Sequence, residues 1–181
     1  STSIDSIRFN LGLAYLFQQN FPKALAIFTK FTEPRIGVEL REGGSFFAGL
    51  AKSYDSFAKE GAERKTGTEA AIKIFSDFLA NKDFEKSVYR EEAMFQRTKL
   101  NLFLEKFEEV QKGVDELHQN FPTSPNRSDY DLILGQSYML QTFRLGQDQK
   151  KSRDEALPIA QKSFDALAKI KLTDSAVVSN E

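Results

Sequence analysis

The string Leu11-Gly12-x-x-Tyr15 returns as Leu50-Ala51-x-x-Tyr54 and again as Leu134-Gly135-x-x-Tyr138. Each is followed, in the next apolar run, by a second string: Ala24-x3-Phe28-x2-Phe31, Ala71-x3-Phe75-x2-Phe78 and Ala160-x3-Phe164-x2-Leu167. A degenerate copy lies between the second and third, with Thr98 and Asn101 at the small and aromatic positions and then Val110-x3-Val114-x2-Leu117. Phe21 and Phe107 stand three residues ahead of Ala24 and Val110. A recurring two-part unit constrains the fold strongly. One such unit cannot bury its apolar face alone and must stack on its neighbours.

The spacing within the strings sets the element type. Between Ile7 and Ile170 the apolar residues fall mostly three and four apart, as in Ile7-Leu11-Tyr15 and Ala24-Phe28-Phe31, and period-two runs bounded by turn residues are absent. Asn20-Phe21-Pro22 places Pro where a helix can begin, and Asn81-Lys82-Asp83 makes a polar turn. Two prolines in Phe121-Pro122-Thr123-Ser124-Pro125-Asn126 end a helix. Eight helices are predicted, at about 3–19, 22–33, 39–59, 67–81, 85–104, 106–120, 127–143 and 150–171. Their short connections make sequence neighbours antiparallel hairpins.

This pattern resembles the tetratricopeptide repeat, a helical hairpin with Leu-Gly and Tyr in its first helix and Ala plus an aromatic in its second. The resemblance implies an all-α, right-handed solenoid of about four hairpins, at about 3–34, 39–81, 85–120 and 127–171. Together these form one repeat domain over residues 1–172, with a tail or linker at 173–181. Small residues such as Gly12, Gly135, Ala24 and Ala71 let two helix backbones approach while rings fill the gap. The connections at 59–67 and 144–153 are longer than the family's standard, so short and long copies alternate. From Phe21 to Phe107 is 86 residues. The chain opens without Met, which suggests a processed product or an excised domain.

Composition removes most catalytic classes. With no Cys there is no disulfide, thiolate metal site or cysteine nucleophile. His118 is the single histidine, and it shares a helix face with Asp115 at i, i+3. A di-metal helical bundle needs that pair twice, so His118 reads as a partial positive charge suited to a helix C-terminus. Gly61-Ala-Glu-Arg-Lys-Thr-Gly67 lacks the Gly-Lys-Ser/Thr ending of a phosphate loop and follows a helix. No enzyme, cofactor or metal is expected. Lys plus Arg number 25 against 26 for Asp plus Glu, which leaves no basic excess for nucleic acid. No run is long and apolar enough for a direct membrane span. Arg144, Lys150, Lys151 and Arg153 against Asp148 make one connection locally basic, a feature open to an acidic partner or a membrane surface.

The family's architecture implies that the first helix of each pair lines a concave groove. That register assigns partner contacts to Phe9, Leu13 and Phe17 in the first copy and Lys52 in the second. Phe95 and Lys99 follow in the third copy, where Phe103 also counts as a groove position, and Gln136 and Met139 in the fourth. Phe9, Leu13 and Phe17 replace the Lys and Asn with which family members grip a C-terminal carboxylate. The groove is therefore expected to dock an amphipathic helix or an extended apolar peptide of a protein partner. The alternative is a structural spacer or oligomerisation element without a groove ligand. The first helix is apolar on nearly every side, which is equally compatible with burial under another repeat or with self-association. The Phe-Pro-Thr-Ser-Pro connection resembles repeats of bacterial cell-envelope members of the family, which implies a periplasmic or envelope setting.

Overall fold

The computed structural model describes residues 2–147 and 153–170, and within them the chain is all-helical, with eight α-helices and no strand. These are α1 (Thr2–Phe17), α2 (Phe21–Phe28), α3 (Val38–Phe57), α4 (Gly61–Ala80), α5 (Arg90–Phe103), α6 (Phe107–Asn120), α7 (Arg127–Gln147) and α8 (Arg153–Ala168). The chain divides into two compact units, the first ending at Leu104 and the second beginning at Glu105. In the first, each helix from α1 to α5 packs on the next, and α1 also touches α3; in the second, α6 packs on α7 and α7 on α8. Lys150, Lys151 and the tail at 173–181 lie outside the described residues.

Three boundaries differ from the periodicity, each for a local reason. Residues 61–67 are helix, not loop: α4 starts at Gly61, which takes a left-handed φ of +52° after a three-residue connection. Gly67 does not break it. A Cβ there would lie 2.7 Å from Ser56 Cβ, so this glycine serves a close crossing of α3 and α4. Helix α5 starts at Arg90 because the Ser87 hydroxyl accepts the Tyr89 N–H (3.2 Å), an alternative to helical bonding over 85–89. Beyond Phe28 the second helix tightens into a 3₁₀ turn over Thr29–Thr32, where Thr29 and Thr32 hydroxyls donate to the carbonyls of Leu25 and Thr29.

The core of the first unit is built from phenylalanine. With 17 Phe and no Trp, most of its rings carry no polar handle, and they pack in both edge-to-face and stacked pairs. Phe9 of α1 meets Phe28, Phe31 and Phe47 at centroid distances of 5.5, 5.4 and 5.8 Å. From there the network runs through Phe46, which stacks on Tyr89 at 4.7 Å, while Phe78 meets Phe84 at 5.1 Å. Phe28 and Phe75 are fully buried. The second unit is aliphatic between α6 and α7, with Val110, Val114 and Leu117 fully buried, and Tyr130 almost so.

The recurring strings do not all pack in one register. Gly12 faces Phe28 of the matching second string, where a Cβ would sit 2.8 Å from the ring. In α3 the residue against Phe75 is Gly49 (2.7 Å), while Ala51 of the string is buried in the Phe28 cluster. Gly135 faces Leu167, one turn beyond Phe164, and Phe164 is left 68% exposed.

A feature of the connections does repeat. Gln19 and Glu105 are the non-glycine residues at positive φ among those described, at +58° and +56°. Each lies two residues ahead of an equivalent Phe, 21 and 107. The left-handed residue lets the Asn20 N–H reach back to the Tyr15 carbonyl (2.8 Å) and close the end of α1. A side chain there costs energy that glycine does not. Gln19→Gly is expected to stabilise the chain by about 0.5–1 kcal/mol, seen as a raised midpoint in thermal unfolding.

Candidate partner-binding site

Helices α1, α3 and α5 each end on a phenylalanine, and two pairs of part-exposed rings form at or near these ends in the first unit. Phe17 closes α1 and is 81% exposed. Four residues on, Phe21 opens α2 and lies against Tyr54 in the last turn of α3, with centroids 5.3 Å apart. Tyr54 and Phe57 share a face of α3 at i, i+3. Phe57 then meets the edge of Phe103, the last residue of α5, at 5.0 Å. Tyr54, Phe57 and Phe103 remain exposed at 43%, 40% and 43%. Part-exposed rings paired at neighbouring helix ends are the kind of surface that partners cover.

The same stretch of α3 frames a cleft of about 420 Å³ with α4. Lys52, Asp55, Lys59 and Glu63 line it, with Ser56 and Gly67 at the helix crossing. The Asp55 carboxylate lies 4.0 Å from the Lys52 ammonium and 3.9 Å from that of Lys59. Two cations and two carboxylates leave the cleft without net charge. Its floor is held by the Ser56 and Thr68 hydroxyls, 3.2 Å apart, with Ser56 donating to the Ser53 carbonyl and Thr68 to that of Arg64.

The sequence-assigned contacts separate into four groups. Phe9 is a packed ring, enclosed by Phe28, Phe31 and Phe47, and Leu13 packs partly buried against the same cluster. Both are part-buried, because α1 turns them towards α2 and α3. Phe103 pairs with Phe57, Phe17 stands exposed at the end of α1, and Lys52 lines the cleft. Phe95 is half-buried on α5 with the exposed Lys99 ammonium 5.5 Å above its ring. Gln136 and Met139 are exposed on α7, in the second unit.

Phe21, Tyr54 and Phe57 were not reached by counting groove positions along the first helices. Phe21 and Tyr54 stand in the recurring pattern without being groove positions, and the signal available for Phe57 is an aromatic at a helix terminus that packing only half covers.

His118 has a structural setting. Its Nε2 lies 3.1 Å from Asp131 Oδ1 on α7, and its ring stands edge-on to Tyr130 at 5.5 Å. Arg144, assigned above to the basic connection, lies in the last turn of α7, and its guanidinium donates from Nε to Glu105 Oε2 at 2.8 Å and from its terminal nitrogen to Oε1. That hydrogen bonding holds the Glu105 carboxyl below the usual glutamate range. Among the described residues no helix is long and apolar enough to cross a membrane, and no group of three or more acidic or histidine side chains is placed to hold a metal ion. No protein-family model matches the chain, and no curated protein matches it.

Proposed function

We propose that the chain is a non-catalytic interaction module of the tetratricopeptide kind, a right-handed solenoid of helical hairpins that docks a helix or extended apolar segment of a protein partner. The observation that carries this is the two part-exposed ring pairs Phe21–Tyr54 and Phe57–Phe103, with a charge-balanced cleft lined from the same stretch of α3. Aromatic rings presented with part of their faces free supply large contact area with little side-chain entropy to lose. The recurring strings and the repeated left-handed residue ahead of Phe21 and Phe107 support the repeat reading. The envelope setting rests on the resemblance of the 121–125 connection.

The test uses a displayed library of short amphipathic and apolar peptides selected on the chain, with the winning peptide titrated against variants. Phe57→Ala and Phe103→Ala are expected to weaken it by about 2 kcal/mol each, as central aromatic anchors do, while the melting midpoint shifts little. Unchanged affinity in both variants, or a selection that yields no binder, would favour the spacer reading.

A further inference from the structure

A second surface lies at the other end of α1 from Phe17. Ile4, Ile7, Leu11 and Ala14 are spaced three, four and three apart and are all exposed, Ile7 to 68%. That spacing is the seam one helix presents to another. Alongside it runs a groove of about 340 Å³ between α1 and the segment that follows α2, with Leu11, Ile27 and Ile36 among its apolar lining.

Charge on the groove is one-sided. Arg8, Lys30 and Arg35 border it against a single carboxylate, Asp5. Lys30 makes no ion pair among the described residues, and Arg8 is only 3.8 Å from Asp5 across an exposed i, i+3 pair. Arg35 is held by Glu33 at 2.7 Å, again at the surface. Such pairs are weak and exchange readily for a better-placed anion.

We infer that this face docks an amphipathic α-helix of another protein whose apolar stripe is flanked by Asp or Glu. The heptad-like seam fits a helix, and the cations meet carboxylates on its flanks. An anionic membrane fits less well. The surface is concave, carries three cations where lipid-binding clusters carry about four to eight, and sets Asp5 among them. This surface is separate from the aromatic pairs, and each has its own variants.

Two labelled helical peptides with the same Leu/Ile stripe, one flanked by Glu and the other by Lys, provide the test by fluorescence anisotropy. The Glu peptide is expected to bind about tenfold more tightly at low salt, and the gap should close at high salt. The combined variant Arg8→Glu, Lys30→Glu and Arg35→Glu should reverse the preference. Ile7→Ser should weaken both peptides, and Glu108→Gln, at an exposed position of α6, should leave both unchanged. The charged positions are exposed, so an unaltered melting curve checks folding. Equal binding of both peptides before and after charge reversal overturns the proposal. So does binding to phosphatidylglycerol vesicles without discrimination between the peptides. A dimer, seen by light scattering, that Ile7→Ser dissolves would assign the face to a second copy and also overturns it.

Discussion

Phe9→Ala is expected to cost about 3–5 kcal/mol, whereas Phe17→Ala, eight residues further along the same helix, should cost little. The contrast follows from what each ring touches. Phe9 stands at the meeting point of Phe28, Phe31 and Phe47, all within 5.8 Å, and it also lies under Gly43, where a Cβ would come within 2.9 Å of the ring. Removing it leaves a void between three helical segments that rigid rings cannot close, so the cavity cost adds to the lost transfer energy. Phe17 is 81% exposed and leaves no void behind. Chemical unfolding of both variants, compared at constant denaturant slope, checks the ordering. A Phe9→Ala variant as stable as the parent would mean the ring faces outward, as the groove register assigned it.

The same helix shows what the sequence can and cannot disclose. The three-and-four spacing of Ile7, Leu11 and Tyr15 announces a helix without ambiguity, and the strings beginning at Leu11, Leu50 and Leu134 make adjacent helices pack in sequence order. Which face turns inward is another matter. On α1, apolar residues occupy nearly the whole circumference, so Phe9 and Phe17 look equivalent; the partners on α2 and α3 decide between them. Gly67 illustrates the same limit at a boundary. Next to Gly61 it reads as loop, and only the approach of Ser56 makes it a helix-interior residue. The aromatic pairs are harder still, since Phe21 and Tyr54 lie 33 residues apart and meet through the ends of two helices. Periodicity describes faces along a helix. It holds no information about which ends converge.

Gly12→Leu should cost about 1–3 kcal/mol, and Gly135→Leu should cost clearly less, although the recurring string makes the two positions look interchangeable. At both, leucine gains roughly 1 kcal/mol of helix propensity over glycine, so the sign depends on the crossing. At Gly12 a new Cβ falls 2.8 Å from Phe28 and 3.0 Å from Ile27. Phe28 is fully buried, and its ring is hemmed in by Phe9 at 5.5 Å and Phe47 at 5.4 Å, so it has nowhere to move. The helices must part instead, and the whole α1–α2 contact loosens. At Gly135 the obstacle is Leu167, which lies near the end of α8, is 36% exposed and can swing into solvent. What remains there is the bond from the Ser163 hydroxyl to the Gly135 carbonyl at 2.9 Å, which a small retreat of α8 would stretch. Thermal unfolding of the two variants side by side reads the difference directly. A Gly12→Leu variant that melts at or above the parent would show that α1 and α2 do not cross closely at that residue, and the matching of Leu-Gly to Ala-x3-Phe would lose its physical basis.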